Sequence, residues 1–183
     1  MIQRVSGGCC NIRSRQFSIT PCLYLRCRRL VSEAKPTRKE FVKQKEKTVK
    51  ESFSRQAFMR TIGAEIVSLE HGKIEIRLPF QPGLTQQNGF IHAGVITSMM
   101  DSACGYAAMS VNPENCDVLS VEFKVNLLAP AKGESFVARA AVKRSGRTLI
   151  VCAADAFVIQ GGDEKLIATM LATIMNIPDR SST

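Results

Sequence analysis

The sequence predicts an α+β domain in which an antiparallel, curved sheet wraps around one long central helix. Three observations predict it. Residues 93–110 (AGVITSMMDSACGYAAMS) suffice for about five helical turns and have no polar face. Segments of alternating polarity flank this stretch on both sides. Turn residues, rather than crossover helices, join the segments that follow it, so no βαβ unit is available.

In chain order, Phe53, Ala57, Phe58 and Ile62 recur at helical spacing and predict a short amphipathic helix over residues 52–62. Gly63 suits the position just past its end. Two strands, 64–70 and 73–78, turn across His71-Gly72; Ile74, Ile76 and Leu78 alternate with Glu75 and Arg77. Pro79, Pro82 and Gly83 open a loop that reaches Asn88-Gly89. The central helix comes next, buried because its small and apolar side chains point all ways, apart from Asp101. Strands at 118–128 (apolar at Leu119, Val121, Phe123, Val125 and Leu127), 135–143, 148–159 and 165–177 complete the sheet. Their turns fall at Ala131-Lys132-Gly133, Ser145-Gly146 and Gly161-Gly162-Asp163.

The net charge of +9 is unevenly placed. Residues 1–60 hold 15 Lys/Arg and 4 acids (+11), whereas 61–183 hold 10 and 12 (−2). A nucleic-acid-binding domain would carry its positive charge on the fold, so that class is set aside. Residues 1–32 contain Arg4, Arg13, Arg15, Arg26, Arg28 and Arg29, several serines and no acid. That composition predicts a mitochondrial transit peptide and a matrix location, and Arg15-Gln16-Phe17-Ser18 resembles an R-x-F-S processing site. The alternative is a cytoplasmic protein with a basic tail. Residues 33–51 read as a charged linker with some helix, 52–178 as the folded domain and 179–183 as a tail. No apolar run is long enough to span a bilayer. Of the seven cysteines, four (9, 10, 22, 27) fall in the expected transit region, and the three in the domain (104, 116, 152) show no CxxC or Cys/His spacing, so neither a metal site nor a disulfide framework is expected.

Asp101 is the chemical anomaly, because an ionised carboxylate inside an apolar helix is costly unless paired or used. The segment QQNGFIHAG at 86–94 leads into the helix start, where unpaired N–H groups carry partial positive charge. Small residues at Ala93 and Gly94 let a ligand oxygen approach, the arrangement needed to hold a carbonyl that gains negative charge. Gly94 and Asp101 are seven residues apart, roughly 10 Å along a helix axis. Catalytic contacts need about 3 Å, so one substrate can meet both only if Asp101 comes from a second, antiparallel copy. A homodimer with two shared sites follows, with assembly to a tetramer left open.

The stretch QQNGFIHAGVITSMMDSACGYAA resembles the core motif of PaaI-type hotdog-fold thioesterases, and LSVEFKVNLLAPAKG and SGRTL fit the same family. The likeness spans about residues 60–177. It implies an acyl-CoA thioesterase releasing free acid and coenzyme A, with Asp101 as nucleophile or as the base that activates water. The Ala93 N–H would polarise the thioester carbonyl, with Gln86 beside it. Ser120 would hold the attacking water, and His92 would support the loop or contact the thioester. The family more often has Gly where this chain has Ala93. Coenzyme A is part of the substrate and no separate cofactor is implied. Its phosphates would meet Lys143, Arg144 and Arg147, with Lys132 as second choice. A non-catalytic acyl-CoA or fatty-acid binding module is the alternative. A hotdog hydratase is less favoured, since it needs a histidine after the Asp. Met99, Met100, Tyr106 and Met109 are the candidates for an acyl pocket.

Overall fold

The computed structural model describes residues 37–178; the Arg-rich segment 1–32 and the tail 179–183 lie outside them. The elements run α1 (Arg38–Arg55), α2 (Ala57–Ile62), β1 (Glu65–Glu70), β2 (Lys73–Pro79), a 3₁₀ turn at Pro82–Leu84, α3 (Ala93–Met109), β3 (Cys116–Leu127), β4 (Ser135–Ser145), β5 (Leu149–Gln160) and β6 (Asp163–Pro178). The six strands form one antiparallel sheet in the order β1-β2-β4-β5-β6-β3. This is the hotdog architecture that the sequence predicts, with α3 as the central helix.

Packing explains the close fit of helix and sheet. Ile96, Met99, Met100, Ala103, Cys104 and Ala107 of α3 are buried, and the sheet offers many alanines at buried positions, including Ala138, Ala140, Ala154, Ala156, Ala168 and Ala172. Those small side chains let the helix backbone come near. Met99 and Met100, expected near an acyl group, are fully buried core instead. One stripe of α3 is not buried by its own chain. Ala93 and Gly94 are exposed, and Thr97, Ser98, Asp101 and Gly105 only half-buried. Their four-residue spacing puts them on one face.

Two expectations need correction. The charged segment 33–51 is helical from Arg38 and packs on the domain rather than linking to it. Thr37 and Glu40 form a reciprocal capping box at its start. Phe41, Lys45, Val49 and Phe53, four residues apart, make a narrow inward stripe that the surrounding charges obscure. Val49 is fully buried, and the Lys45 Nζ donates to Asn112 Oδ1 and to the Pro113 carbonyl (3.0 Å) just past the end of α3. Burial of its stem holds the Lys45 pKa below the usual lysine range. The helix expected over 52–62 is broken at Gln56, whose ψ of 98° is extended. The apolar face therefore changes phase: Met59 and Ile62 are buried, whereas Ala57 is exposed and Phe58 is 48% exposed.

A second phase change lies in β3. Pairing with β6 slips between Ser120 and Glu122, so Val121 is a bulge. Ser120 sits opposite the buried Ile174, and beyond the bulge Phe123 and Val125 sit opposite the buried Ala172 and Met170. The inward row is thus Val118 and Ser120, then Phe123, Val125 and Leu127. The single apolar row expected from Leu119 to Leu127 is split between two faces. Among the described residues β3 pairs only with β6 and forms an edge of the sheet.

Candidate active site

Two clefts lie along α3 and share no lining residue. The first, about 350 Å³, is built around Asp101, Gly105 and Tyr106 of α3, with Asp117, Val118 and Ser120 of β3. Ser120 reaches Asp101 because the strand before the bulge turns its even-numbered residues inward. Its hydroxyl donates to Asp101 Oδ1 at 2.7 Å. The carboxylate is half-buried, and this one neutral donor leaves its second oxygen without a partner among the described residues. An acceptor so placed can take a proton from a water that also touches the serine.

The second cleft, about 490 Å³, lies at the helix start and is lined by Gln86, Phe90, Ile91, Ala93, Ile96 and the 127–131 segment, with Ile167. Its floor is set by a tight turn. Thr85 bridges Ile91, the Gln86 N–H donates to the Phe90 carbonyl, and Gly89 adopts φ +78°. The positive φ suits glycine. The Gln86 side-chain oxygen accepts from the Asn88 N–H, which leaves its NH₂ as a free donor.

The first turn of α3 accounts for its own N–H groups with one exception. His92 caps the helix, its N–H donating to the Leu84 carbonyl and its Nδ1 accepting from the Gly94 N–H at 2.9 Å. The Val95 N–H donates to the His92 carbonyl. Only the Ala93 N–H has no acceptor among the described residues, and Ala93 is exposed. The expectation for the helix start is therefore sharpened. Gly94 has its N–H occupied, His92 is a capping residue, and Ala93 with the Gln86 amide offers the donors.

One chain does not bring the two groups together. Ala93 and Asp101 are eight residues apart on a single helix, about 12 Å along its axis. Lys143, Arg144 and Arg147 are exposed and line neither cleft; Lys143 lies with Arg139, Glu75 and Asp155 in a polar hollow formed by β1, β2, β4 and β5. Beside it Arg139 bridges Glu75 (2.7 Å) and Glu164 (2.6 Å) and stacks over Phe157. Lys132 is exposed and follows Pro130 and Ala131, which line the helix-start cleft.

The sequence reading missed one wall of the Asp101 cleft altogether. Ser52, Arg55 and Gln56, at the break between α1 and α2, face it. Fitting one continuous helix across residues 52–62 hid them, because the chain breaks at Gln56 and the face before it turns toward Asp101. Gly105 was detectable, since a residue four after Asp101 must share its face. Burial pushes the Cys104 thiol well up and that of Cys152 up to about 12, so both stay protonated.

Comparison with known proteins adds family relations to this geometry. Residues 88–165 match the family model described as the thioesterase superfamily. The chain is 49% identical to a thioesterase family protein from Silicibacter pomeroyi, over 73% of this chain and 98% of that one, with a TM-score of 0.72. It is 33% identical to the 1,4-dihydroxy-2-naphthoyl-CoA hydrolase of Listeria monocytogenes over 48% of this chain and 72% of that protein. The E. coli PaaI protein shares the fold at 16% identity, with a TM-score of 0.68 over 76% of this chain and 97% of that one.

Proposed function

We propose that this chain, which belongs to the thioesterase superfamily and is a PaaI-like hotdog thioester hydrolase, acts on an acyl-CoA thioester at a site shared by two copies of itself. The observation that carries this reading is the separation of two complementary half-sites on one helix. An Asp101–Ser120 pair lies at its middle, and a free Ala93 N–H with the Gln86 amide at its start. Two antiparallel copies of α3 would set the Asp101 of one against the Ala93 of the other. β3 supports such pairing, because it is an edge strand that leaves Leu119 and Val121 more than half exposed. The CoA hydrolase name of the Listeria relative supports the substrate class.

In the proposed reaction, a water positioned by Ser120 gives a proton to Asp101 as its oxygen bonds to the thioester carbon. The carbonyl oxygen takes the electron pair and is held by the Ala93 N–H and the Gln86 NH₂. Collapse of this intermediate breaks the C–S bond, and the leaving thiolate takes the proton back from Asp101. Free acid and coenzyme A result, and no separate cofactor is needed. The CoA phosphates would meet Lys132 beside the helix-start cleft, with Lys143, Arg144 and Arg147 around the Ser145-Gly146 turn. Hydratase chemistry is disfavoured because it needs a histidine after the Asp, and both histidines, His71 and His92, precede Asp101. A matrix location rests on the composition of residues 1–32, and import into isolated mitochondria tests it.

Hydrolysis of an acyl-CoA panel by native and Asp101→Asn protein tests the chemistry. The substitution should lower kcat by about 10²–10⁴-fold, and unchanged turnover would sink the mechanism. Sharing is tested by mixed dimers of Asp101→Asn and Ala93→Pro chains. Half of the dimers would be hybrids with one intact site, so about a quarter of native activity should return.

A further inference from the structure

Gly105 lies one turn beyond Asp101 on the open stripe of α3 and lines the same cleft. Glycine is unfavourable inside a helix relative to alanine. Nothing among the described residues demands it, since a Cβ placed there meets no atom of theirs within 4 Å and the backbone is not in the positive-φ region. Its missing side chain keeps space open beside the catalytic carboxylate.

That space faces a wall built for hydrogen bonding. The Tyr106 hydroxyl donates to Gln56 Oε1 at 3.0 Å, and Gln56 Nε2 donates to Ser102 Oγ at 3.3 Å. Each partner keeps unused capacity: a second N–H on Nε2, a second lone pair on Oε1 and the phenol oxygen as acceptor. Burial raises the Tyr106 pKa and keeps the phenol protonated. Phe53 meets its ring edge-on at 5.4 Å, and Lys45 anchors α1 to the end of α3, so the wall is fixed.

Charge and size decide which half of a thioester fits. Among the described residues the cleft holds two carboxylates, Asp101 and Asp117, against one guanidinium, Arg55, whereas none of those that line the helix-start cleft is charged. Coenzyme A, a polyanion, is therefore better accommodated at the helix start, which leaves the acyl group at Asp101. The volume is about 350 Å³, and among the described residues Val118 and Met109 are its only large aliphatic linings, a poor bed for a long alkyl chain. The net negative charge likewise disfavours an anionic acyl group.

Building on the reading of Asp101 above, we infer that the acyl cleft selects a compact acyl group bearing a neutral hydroxyl, seated over Gly105 and hydrogen-bonded by Gln56 and Tyr106. Gln56 is then a specificity-determining residue. The test compares kcat/KM for butanoyl-CoA, 3-hydroxybutanoyl-CoA and decanoyl-CoA. The hydroxylated substrate should exceed its plain counterpart by about tenfold, the worth of one neutral hydrogen bond, and Gln56→Met should abolish that preference. Gly105→Val should raise KM for 3-hydroxybutanoyl-CoA more than for acetyl-CoA, whose acyl group is too short to reach residue 105. Equal rates for the matched pair, a preference for decanoyl-CoA, or a Gly105→Val effect independent of acyl size would each overturn the inference. Calorimetric binding of the same pair to Asp101→Asn protein reads the preference without turnover. An Asp101→Asn enzyme that stays active would refute the Asp101 mechanism while the selectivity ratio remained measurable.

Discussion

The two clefts of α3 differ in almost every physical respect. At the helix start the lining is mostly apolar and uncharged, and its useful groups are N–H donors of the backbone and of Gln86. At mid-helix the lining is polar, and its useful group is an acceptor, the Asp101 carboxylate. A carboxylate within reach of a free helix-start N–H would simply cap it, and each group would consume the other. About 12 Å of helix keeps donor and acceptor unspent within a chain. Only a geometry that supplies the second group from elsewhere lets both act on one substrate.

The largest effect that would test this contrast comes from Ala93→Pro. Proline is tolerated at the first helical position, and His92 already has the extended conformation (ψ 135°) that a following proline requires. The substitution deletes one N–H and little else, so kcat should fall by about 10²–10³-fold with the melting temperature nearly unchanged. An unaffected kcat would remove the helix start from the chemistry. Next comes Ser120→Ala, which strips the Asp101 carboxylate of its one donor. A hydrogen bond to a charged group is worth about 1.5–3 kcal/mol, so turnover should fall by tenfold or more in single-turnover kinetics.

Lys45→Met probes the wall that only the mid-helix cleft possesses. The Oδ1 of the buried Asn112 would lose its donor, while its Nδ2 keeps the Cys116 carbonyl, at a cost of about 1–3 kcal/mol seen as a lower denaturant midpoint. Effects on acyl selectivity should exceed those of a substitution at the helix start. The smallest effect belongs to a region lining neither cleft. Hydrogen bonds from Arg139 hold the Glu164 pKa below its ordinary 4.5. Its contribution is present above that value and is lost as pH falls through the lower, folded-state value. Glu164→Gln should flatten that part of the acid-unfolding curve and leave turnover unaltered.

Much of this architecture can be read from sequence because the signals there are periodic. The inward residues of β2 and the turn glycines stand where simple alternation puts them. Asp101 stands out because no other charged residue interrupts α3. The rest depends on phase. Gln56 breaks one helix into two, and Val121 slips one strand by a residue; a single period fitted across either point assigns half the side chains to the wrong face. The α1 stripe was hidden for another reason: one of its buried positions is a lysine, which hydropathy counts as solvent. That Ala93, among the described residues, keeps the one free backbone N–H of the first turn of α3 could not be read at all, since it depends on how the His92 ring turns.

The bulge at Val121 also makes β3 sensitive to length rather than to composition. It acts as a phase converter between Ser120, which must face Asp101, and the inward row that resumes at Phe123. Deleting one residue there would leave every side chain chemically intact and still force a choice. Either the serine or the inward row would be turned outward. Conservative replacements at 121 should be absorbed easily, while a one-residue indel between 120 and 123 should not be.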